Sequence, residues 1–589
     1  MKGVYMFSDF KPFAKEIIVQ LGIPDNQVIS TQTFERENNY HDWLKDIFKN
    51  NEVEKILIPL NLNTNDPIND GLKIALHIRL NYELPVIKRI VPIIFLSDFT
   101  LDVIIRNNDF DPIINPQNLF FTQCIFLSSF DPDEIKNLIK KVEPCEENEY
   151  HFGILNKLRI TQRASVGKHS ISNAWGCFKL AQVTGLRDEI YKNENVAEHL
   201  KTFYAKYLIC YNDVFTNEKF IDLNPMQCHG KKILFIDDQA EDGWSILMKN
   251  IFKSAGNDFQ AIDSSNYKNN ETKLFHDFEG FYAECQNQIG KDWDLIIMDL
   301  RLYPEREDID SEMILPTELS GYKLIDEFLN ENEGYQIIVS TASNKIWNIN
   351  AALKRGTSSY YIKESPEFSY AIRETKRQYE DFKNDVQNCF QRNYLKVIWN
   401  ETKNCKNHLV NLLQTKKLDK TFVDAIITFL DLGFDTLNNH SGKYPFDSAF
   451  MYYFLILEAS AKEMIDEDNP QKVAVTTVIG TNITGYKFIF RKTGKPLIEF
   501  AGNSFLQTNI GDELISQTKR APYDPKFHNL IANANVAGIN PVSLVKLRND
   551  FSHPDLVNNR RIAQINKENV IDIFKTVKSL INNFNQMQL

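Results

Sequence analysis

The sequence predicts a multidomain protein with two doubly wound α/β domains, each built on a five-stranded parallel sheet, followed by a mainly α-helical bundle with a small β insertion. Three observations favour this fold class. Four apolar runs between residues 233 and 363 each end in polar residues, as buried parallel strands with polar carboxyl ends do. The same alternation of strand-like and helical segments extends over residues 1–142. Beyond Pro366 the apolar spacing is mostly helical.

Length, charge and cysteine content restrict the function classes. At 589 residues the chain is too long for a single core, so we expect about three or four domains. A net charge of −11 disfavours general attraction to nucleic acid, so any such site must be a local basic patch. The chain shows neither a secretory start nor a run of about 18 apolar residues, which predicts a cytoplasmic protein without membrane contact. Eight cysteines without a C-x-x-C pair argue against a zinc site or a disulfide framework.

The first 142 residues predict an α/β domain. Strands are expected where apolar residues form short runs, namely at Gly3-Val-Tyr-Met-Phe, Lys55-Ile-Leu-Ile-Pro59, Val91-Pro-Ile-Ile-Phe-Leu-Ser97 and Cys124-Ile-Phe-Leu-Ser. Gly71-Leu-Lys-Ile-Ala-Leu-His-Ile-Arg predicts a helix between the second and third of these runs.

A helical connector is predicted over residues 150–222. It contains Lys168-His169-Ser-Ile-Ser-Asn173-Ala-Trp175-Gly, in which His169 and Asn173 lie on one helix face. This pattern faintly resembles the phosphorylated helix of histidine kinases. The alternative, that His169 and Trp175 are packing or interface residues, is favoured because no ATP-binding domain follows.

The central segment, residues 229–375, predicts a cluster of polar residues at one sheet edge. The runs end at Asp237-Asp238, Asp299, Thr341 and Lys363. Because parallel strands share their carboxyl edge, these side chains are expected to converge there. Three carboxylates at one place need a cation, and Mg²⁺ suits carboxylate, carbonyl and water ligands.

This order of an acid pair, an acid, a threonine and a lysine resembles the receiver domain of bacterial response regulators. The resemblance implies that Asp299 is the phosphoacceptor. It also implies that Asp237 and Asp238, together with Asp299 and the backbone carbonyl of Arg301, hold Mg²⁺. The loop from Asp299 to Gly321 is longer and more acidic than a minimal receiver loop. An ion or nucleotide site without phosphorylation therefore stays open as an alternative.

The same resemblance assigns the switch residues. Thr341 is expected to bond a phosphoryl oxygen, and Lys363 to pair with its charge. Tyr360 falls where the family has its aromatic switch residue. The helix that starts at Ser320-Gly321 and the glycine at Gly356 match the family in order.

In the order of its predicted strands and helices, the N-terminal domain resembles a degenerate receiver. Pro59 stands at the phosphoacceptor position, and no lysine stands at the equivalent of Lys363. Its expected role is docking, dimerisation or binding of a signal. An unrelated small α/β domain is the alternative.

Residues 376–420 predict a linker helix, and residues 421–589 a helical effector domain. Arg548-Asn549-x-x-x-His553 is similar to the Arg-x4-His motif of HEPN domains, which include many metal-independent ribonucleases. The resemblance implies that His553 transfers protons, that Arg548 stabilises charge on phosphorus and that Asn549 orients the pair. In the family this site is usually shared across a dimer.

Two points weaken the catalytic interpretation. On an ideal helix Arg548 and His553 lie about 140° apart, and Pro554 biases His553 away from helical geometry. The alternative is that the pair serves a dimer interface or caps the helix. A local basic patch for RNA is predicted from Lys546, Arg560, Arg561 and Lys567.

Together these patterns predict a receiver-controlled HEPN-type ribonuclease in which a phosphorylation or ligand signal at Asp299 regulates a dimeric Arg548/His553 site. A stress or phage-defence setting follows from fold analogy alone. Expected partners are a second copy of the chain, a histidine kinase or small phosphodonor, and RNA. The alternative is a non-catalytic two-component signalling adaptor whose helical C-terminus dimerises or binds a partner.

Overall fold

The computed structural model describes most of the chain. The described residues are 3–9, 12–31, 37–60, 62, 69–106, 116–158, 160, 168–213, 226–269, 272, 274–307, 314–342, 346–365, 372–415, 418–439, 444–464, 486–490, 496–500, 539, 544, 547–548 and 565–584. Among the described helices, none combines the length and the apolar character needed to cross a bilayer.

The N-terminal domain contains a five-stranded parallel sheet in the order β2-β1-β3-β4-β5. Its strands are β1 Val4–Ser8, β2 Val28–Ser30, β3 Lys55–Pro59, β4 Ile93–Leu96 and β5 Ile125–Ser128. The central strands β1, β3 and β4 are almost entirely buried, because helices cover both faces of the sheet.

Helices surround this sheet in the described part of the domain. They are Pro12–Leu21, Glu37–Asn50, Asn69–Arg79, Val86–Arg89, Leu101–Arg106, Pro116–Phe120 and Pro132–Lys141. The first and last pack on one face, where Ile17, Ile135 and Ile139 share a hydrophobic cluster. The helices Glu37–Asn50 and Asn69–Arg79 cover the opposite face.

The connector is helical and lies between the two α/β domains. Its helical segments are Tyr150–Leu155, Asn156–Leu158, Lys168–Thr184, Arg187–Ile190, Glu194–Leu200 and Phe203–Asp213. We call Lys168–Thr184 the covering helix. Its buried Trp175 and Phe178 belong to one hydrophobic cluster that also contains Leu72 of the N-terminal domain and Phe382 of the central domain. The connector therefore fills the space between the two domains with a continuous apolar core.

Buried histidines at the contact between the N-terminal domain and the connector predict acid sensitivity. His77 Nδ1 lies 2.6 Å from Lys206 Nζ, and both side chains are fully buried. Burial and Lys206 hold the pKa of His77 well below its ordinary value. Burial likewise lowers the pKa of His41 to about 4, although a hydrogen bond to Glu83 opposes the shift.

Because both folded-state pKa values are depressed, the unfolded chain binds more protons below its own histidine pKa of about 6.5. Stability is therefore present above that pH and falls as the pH drops towards 4. Each histidine should cost about 2 kcal/mol between pH 7 and pH 5. Urea unfolding at the two pH values measures this loss, which His77→Gln should reduce and the exposed-site control His229→Gln should not. Equal pH dependence in both variants would contradict the assignment.

Cysteine pairing differs from the sequence expectation. Cys124 and Cys145, separated by 21 residues, are joined by a disulfide with an S–S distance of 2.19 Å. The prediction that the cysteines form no disulfide framework is therefore wrong for this pair. The spacing shows no recognisable motif, and only the fold brings the segment after helix Pro132–Lys141 back to the start of β5. The other cysteines are buried thiols.

The central domain repeats the same architecture. Its parallel sheet has the order β10-β9-β8-β6-β7. The strands are β6 Ile233–Ile236, β7 Phe259–Ile262, β8 Leu295–Met298, β9 Ile337–Thr341 and β10 Ser359–Ile362. Two parallel sheets with the same strand order confirm the prediction of two receiver-like α/β domains at the level of fold class.

The helical segments of the central domain are Ala240–Trp244, Ser245–Ile251, Lys253–Asp258, Ser265–Tyr267, Phe278–Gln286, Pro304–Glu307, Pro316–Glu318, Ser320–Glu331, Ile346–Arg355 and Ile372–Arg392. Helix Ser320–Glu331 buries Leu324, Phe328 and their neighbours on one face, as amphipathic spacing requires. The last helix, Ile372–Arg392, extends past residue 375, and its Tyr379 and Phe382 pack in the hydrophobic cluster beneath the sheet.

The C-terminal region is mainly helical. Its helices Tyr394–Gln414, Lys420–Asn438, Pro445–Met464 and Lys567–Asn583 share one hydrophobic cluster, and strands β11 Tyr486–Phe490 and β12 Pro496–Phe500 form an antiparallel pair. Lys396 anchors this region to the central domain, since its Nζ donates to Asp292 Oδ1 at 2.7 Å and to the carbonyl of Trp293 at 2.6 Å.

Candidate functional site

The predicted polar residues of the central domain do meet at one sheet edge. Asp237 directly follows β6, Asp299 follows β8, Thr341 ends β9 and Lys363 follows β10. These strands are neighbours and parallel, so their carboxyl ends share an edge. The site therefore forms because each of these residues lies at the carboxyl end of its apolar strand or directly after it.

Lys363 lies at the centre of the cluster. Its Nζ is 2.5 Å from Asp237 Oδ2 and 2.9 Å from Asp299 Oδ2, and the side chain is 2% exposed. The ammonium also lies 4.9 Å from the centroid of the Trp244 ring. Burial alone would lower its pKa, but the two carboxylates hold the pKa of Lys363 above its ordinary value. The lysine is therefore charged.

The acidic side chains fit a divalent cation. One carboxylate oxygen from each of Asp237, Asp238 and Asp299 lies within 4.8 Å of the others. Asp238 Oδ2 is buried and makes no hydrogen bond. Burial raises the pKa of Asp237 to about 6 and that of Asp238 well above its ordinary value. The single positive charge of Lys363 cannot balance three carboxylates at this edge. Carboxylate oxygens are also the ligands that Mg²⁺ prefers.

The two other predicted switch residues, Thr341 and Tyr360, differ in their exposure. Thr341 is buried and lines a pocket with Asp238, Asp299 and Arg301. The Arg301 backbone N–H donates to Asp299 Oδ1 at 3.2 Å, which orients the carboxylate. Tyr360, in contrast, is 40% exposed on β10. The switch role of Tyr360 stays a prediction.

The sequence did not predict a second cation beside the acid pair. Lys268 donates to the carbonyl of Asp238 and, at 2.9 Å, to Glu241 Oε1. Ser264 Oγ donates to the same carbonyl at 2.6 Å. These contacts fix the turn after β6 and keep Asp238 pointed at the edge. Lys268 lies in the long segment between Asp238 and Asp299, where no motif marks it.

The equivalent edge of the N-terminal domain contains different residues. A Cβ atom on Gly71 would lie 2.7 Å from the carbonyl oxygen of Pro59, just as one on Gly321 would crowd the carbonyl of Asp299. This matching contact places Pro59 at the position of Asp299. A proline has no carboxylate to accept a phosphoryl group.

Comparison with protein-family models gives the same result for this domain. Residues 11–122 match the model described as iREC, Inactive Receiver domain. The N-terminal domain is an inactive receiver domain. The prediction of a degenerate receiver is thereby confirmed for this part of the chain. Comparison with curated proteins found no match.

The inactive receiver domain also differs at the lysine position. Its β4 and β5 pair Leu96 with Ser128, and the pairing of Ser340 with Tyr361 in the central domain corresponds to it. Lys363 comes two residues after Tyr361, just beyond β10, and Phe130 comes two residues after Ser128, so Phe130 takes the equivalent position in the inactive receiver domain. It therefore lacks both the carboxylate of Asp299 and the ammonium of Lys363 at the equivalent positions.

The predicted ribonuclease residues are only partly described. Arg548 Nη2 donates to Glu458 Oε1 at 2.6 Å, and its guanidinium lies 5.5 Å from the centroid of the Phe454 ring. Asn549 and His553 lie outside the described residues, as do Lys546, Arg560 and Arg561 of the predicted basic patch. Arg548 therefore contacts helix Pro445–Met464 through an ion pair and an aromatic ring.

Proposed function

We propose that this chain is a signalling protein whose central domain accepts a phosphoryl group on Asp299. The observation that carries the proposal is the convergence of Asp237, Asp238 and Asp299 with Lys363 at one buried edge. An inactive receiver domain in the same chain supports a regulatory role.

The chemistry of acceptance follows from these positions. An Asp299 oxygen attacks phosphorus of a phosphodonor such as acetyl phosphate, the new P–O bond forms, and acetate leaves with the electrons of the broken bond. Mg²⁺ held by Asp237 and Asp238 would screen the negative charge of the incoming group. Lys363 lies near enough to Asp299 to exchange its carboxylate contact for a phosphoryl oxygen. Thr341, in the same pocket, supplies a hydroxyl donor.

A labelling experiment on the full chain tests this function. We expect acetyl phosphate with Mg²⁺ to add one phosphoryl group, detected by intact mass, and we expect EDTA to suppress the addition. If no phosphoryl group is added even with Mg²⁺ present, phosphoryl acceptance is contradicted and an ion-binding site without phosphorylation is favoured.

For the C-terminal region we propose an output through assembly or partner binding. Arg548 supports this choice, because a guanidinium that is paired with Glu458 is already neutralised and does not offer free positive charge to a phosphodiester. The Arg548/His553 ribonuclease stays a prediction. Incubation of RNA with the wild-type chain and with His553→Ala tests it, since equal RNA integrity in both samples would argue against cleavage.

A structural role for Arg548 predicts measurable coupling with Glu458. Both side chains are about a quarter exposed, so the ion pair is partly screened. In a double-mutant cycle with Arg548→Gln and Glu458→Gln, we expect a coupling free energy of about 1 kcal/mol in urea unfolding. The more exposed ion pair of Lys403 and Glu331, 3.7 Å apart, serves as a control with smaller coupling. Additive effects at Arg548 and Glu458 would contradict the structural role.

A further inference from the structure

The covering helix packs directly on the Lys363 side of the phosphoacceptor site. A Cβ atom on Gly176 would lie 3.0 Å from the carbonyl oxygen of Glu364 and 3.3 Å from Lys363 Cβ. A larger residue would push the helix away. The close approach therefore brings the preceding turn of the helix, which contains Asn173, to the edge of the site.

Asn173 bridges the covering helix and the pocket. Its Oδ1 accepts a hydrogen bond from Lys363 Nζ at 3.4 Å. The residue also lines the pocket that contains Asp299, Thr341 and Ala342. Asn173 is 5% exposed, and its Nδ2 has no hydrogen-bond partner.

The orientation of this amide is fixed by its neighbour. A lysine ammonium can only donate, so the carbonyl end of Asn173 must face Lys363. The amino end is then left with two unused N–H donors in a buried position. A buried donor without an acceptor is costly, so an acceptor that enters the pocket would stabilise it.

These N–H donors repel a metal ion and would bond an acceptor oxygen, most strongly an anionic one. A phosphoryl group attached to Asp299 would bring three acceptor oxygens into this pocket. We propose that the Asn173 amide donates to an oxygen of the phosphoryl group on Asp299, so that the connector itself senses the phosphorylated state. This inference rests on the proposed function and adds a residue from outside the central domain to its site.

The consequence is a physical route from the site to the inactive receiver domain. The covering helix shares its apolar core with helices of both α/β domains. A new hydrogen bond at Asn173 would hold this helix more firmly on the central domain. The phosphorylated state would thereby change the stability of the contact that joins the two receiver-like domains.

Hydrogen exchange on the full chain tests the proposal with Mg²⁺ and fluoroberyllate, a phosphoryl mimic that bonds to a carboxylate. In the wild type we expect slower exchange both in the loop after β8 and in the covering helix. In Asn173→Ala we expect fluoroberyllate binding, measured by ¹⁹F NMR, to be about tenfold weaker. At saturating fluoroberyllate, hydrogen exchange in this variant should still slow in the loop after β8 but no longer in the covering helix. Gln182→Ala, a buried polar position on the same helix, should behave as wild type.

Asn173→Asp separates the two ends of the amide, since it keeps an oxygen for Lys363 and removes the donors. Binding as tight as wild type in this variant would overturn the proposal, because Asn173 would then serve only to hold the lysine. Unchanged exchange in the wild-type covering helix, with fluoroberyllate bound at the loop, would also overturn it and leave the proposed function standing. If the wild type binds no fluoroberyllate and takes no phosphoryl group from acetyl phosphate, the proposed function fails, and the proposal fails with it.

Discussion

Replacement of Asp299 by asparagine should abolish phosphoryl uptake from acetyl phosphate. An amide of the same shape has no nucleophilic carboxylate oxygen, so the new P–O bond cannot form. Because Lys363 keeps its 2.5 Å contact with Asp237, the variant should remain folded. Intact mass after treatment with acetyl phosphate and Mg²⁺ should show complete loss of the added group, and the thermal midpoint should change little.

Asp381→Asn is a matched control for this experiment. Asp381 is exposed on the last helix of the central domain, and its replacement removes the same charge from the same domain. We expect normal label in this variant. If Asp299→Asn were labelled as strongly as Asp381→Asn, the acceptor would have to be another residue.

Replacement of Gly321 by alanine should disturb both folding and phosphoryl uptake. The added Cβ would lie 2.0 Å from the carbonyl oxygen of Asp299 and 2.7 Å from the carbonyl carbon of Leu300. Neither backbone atom can move away without shifting the loop after β8 that carries Asp299. We expect a loss of about 3 kcal/mol in the free energy of unfolding, the upper end for overpacking, together with loss of label.

Gly71→Ala separates the two effects, because it introduces a related clash against Pro59 in the inactive receiver domain. Urea unfolding should show destabilisation in both variants. Phosphoryl uptake under native conditions should fall only in Gly321→Ala. Full label in a destabilised Gly321→Ala variant would show that the loop after β8 tolerates the shift, against the tight geometry argued for Asp299.

The sequence was informative where local pattern and topology coincide. Apolar runs that end at Asp237, Asp299, Thr341 and Lys363 specify both a buried strand and the residue at its end, so strand order alone brings the four together. The same reasoning identified Pro59 as the residue in place of an acceptor.

Contacts between distant segments had no such pattern. Asn173 meets Lys363 across 190 residues of sequence, and Lys268 reaches Asp238 through a fold-back of the long segment after β6. The pairing of Arg548 with Glu458 is equally remote, at 90 residues. Sequence spacing cannot report such contacts, since they depend on how whole domains and helices pack.

The continuous apolar core around the connector has a consequence for truncation. Leu72, Trp175 and Phe382 come from three segments of the chain but pack in one cluster. A fragment cut near residue 142 or residue 229 would expose part of that cluster to water and tend to aggregate. The two α/β domains of the intact chain should therefore unfold in one cooperative transition. An isolated domain would not reproduce the stability of the intact chain.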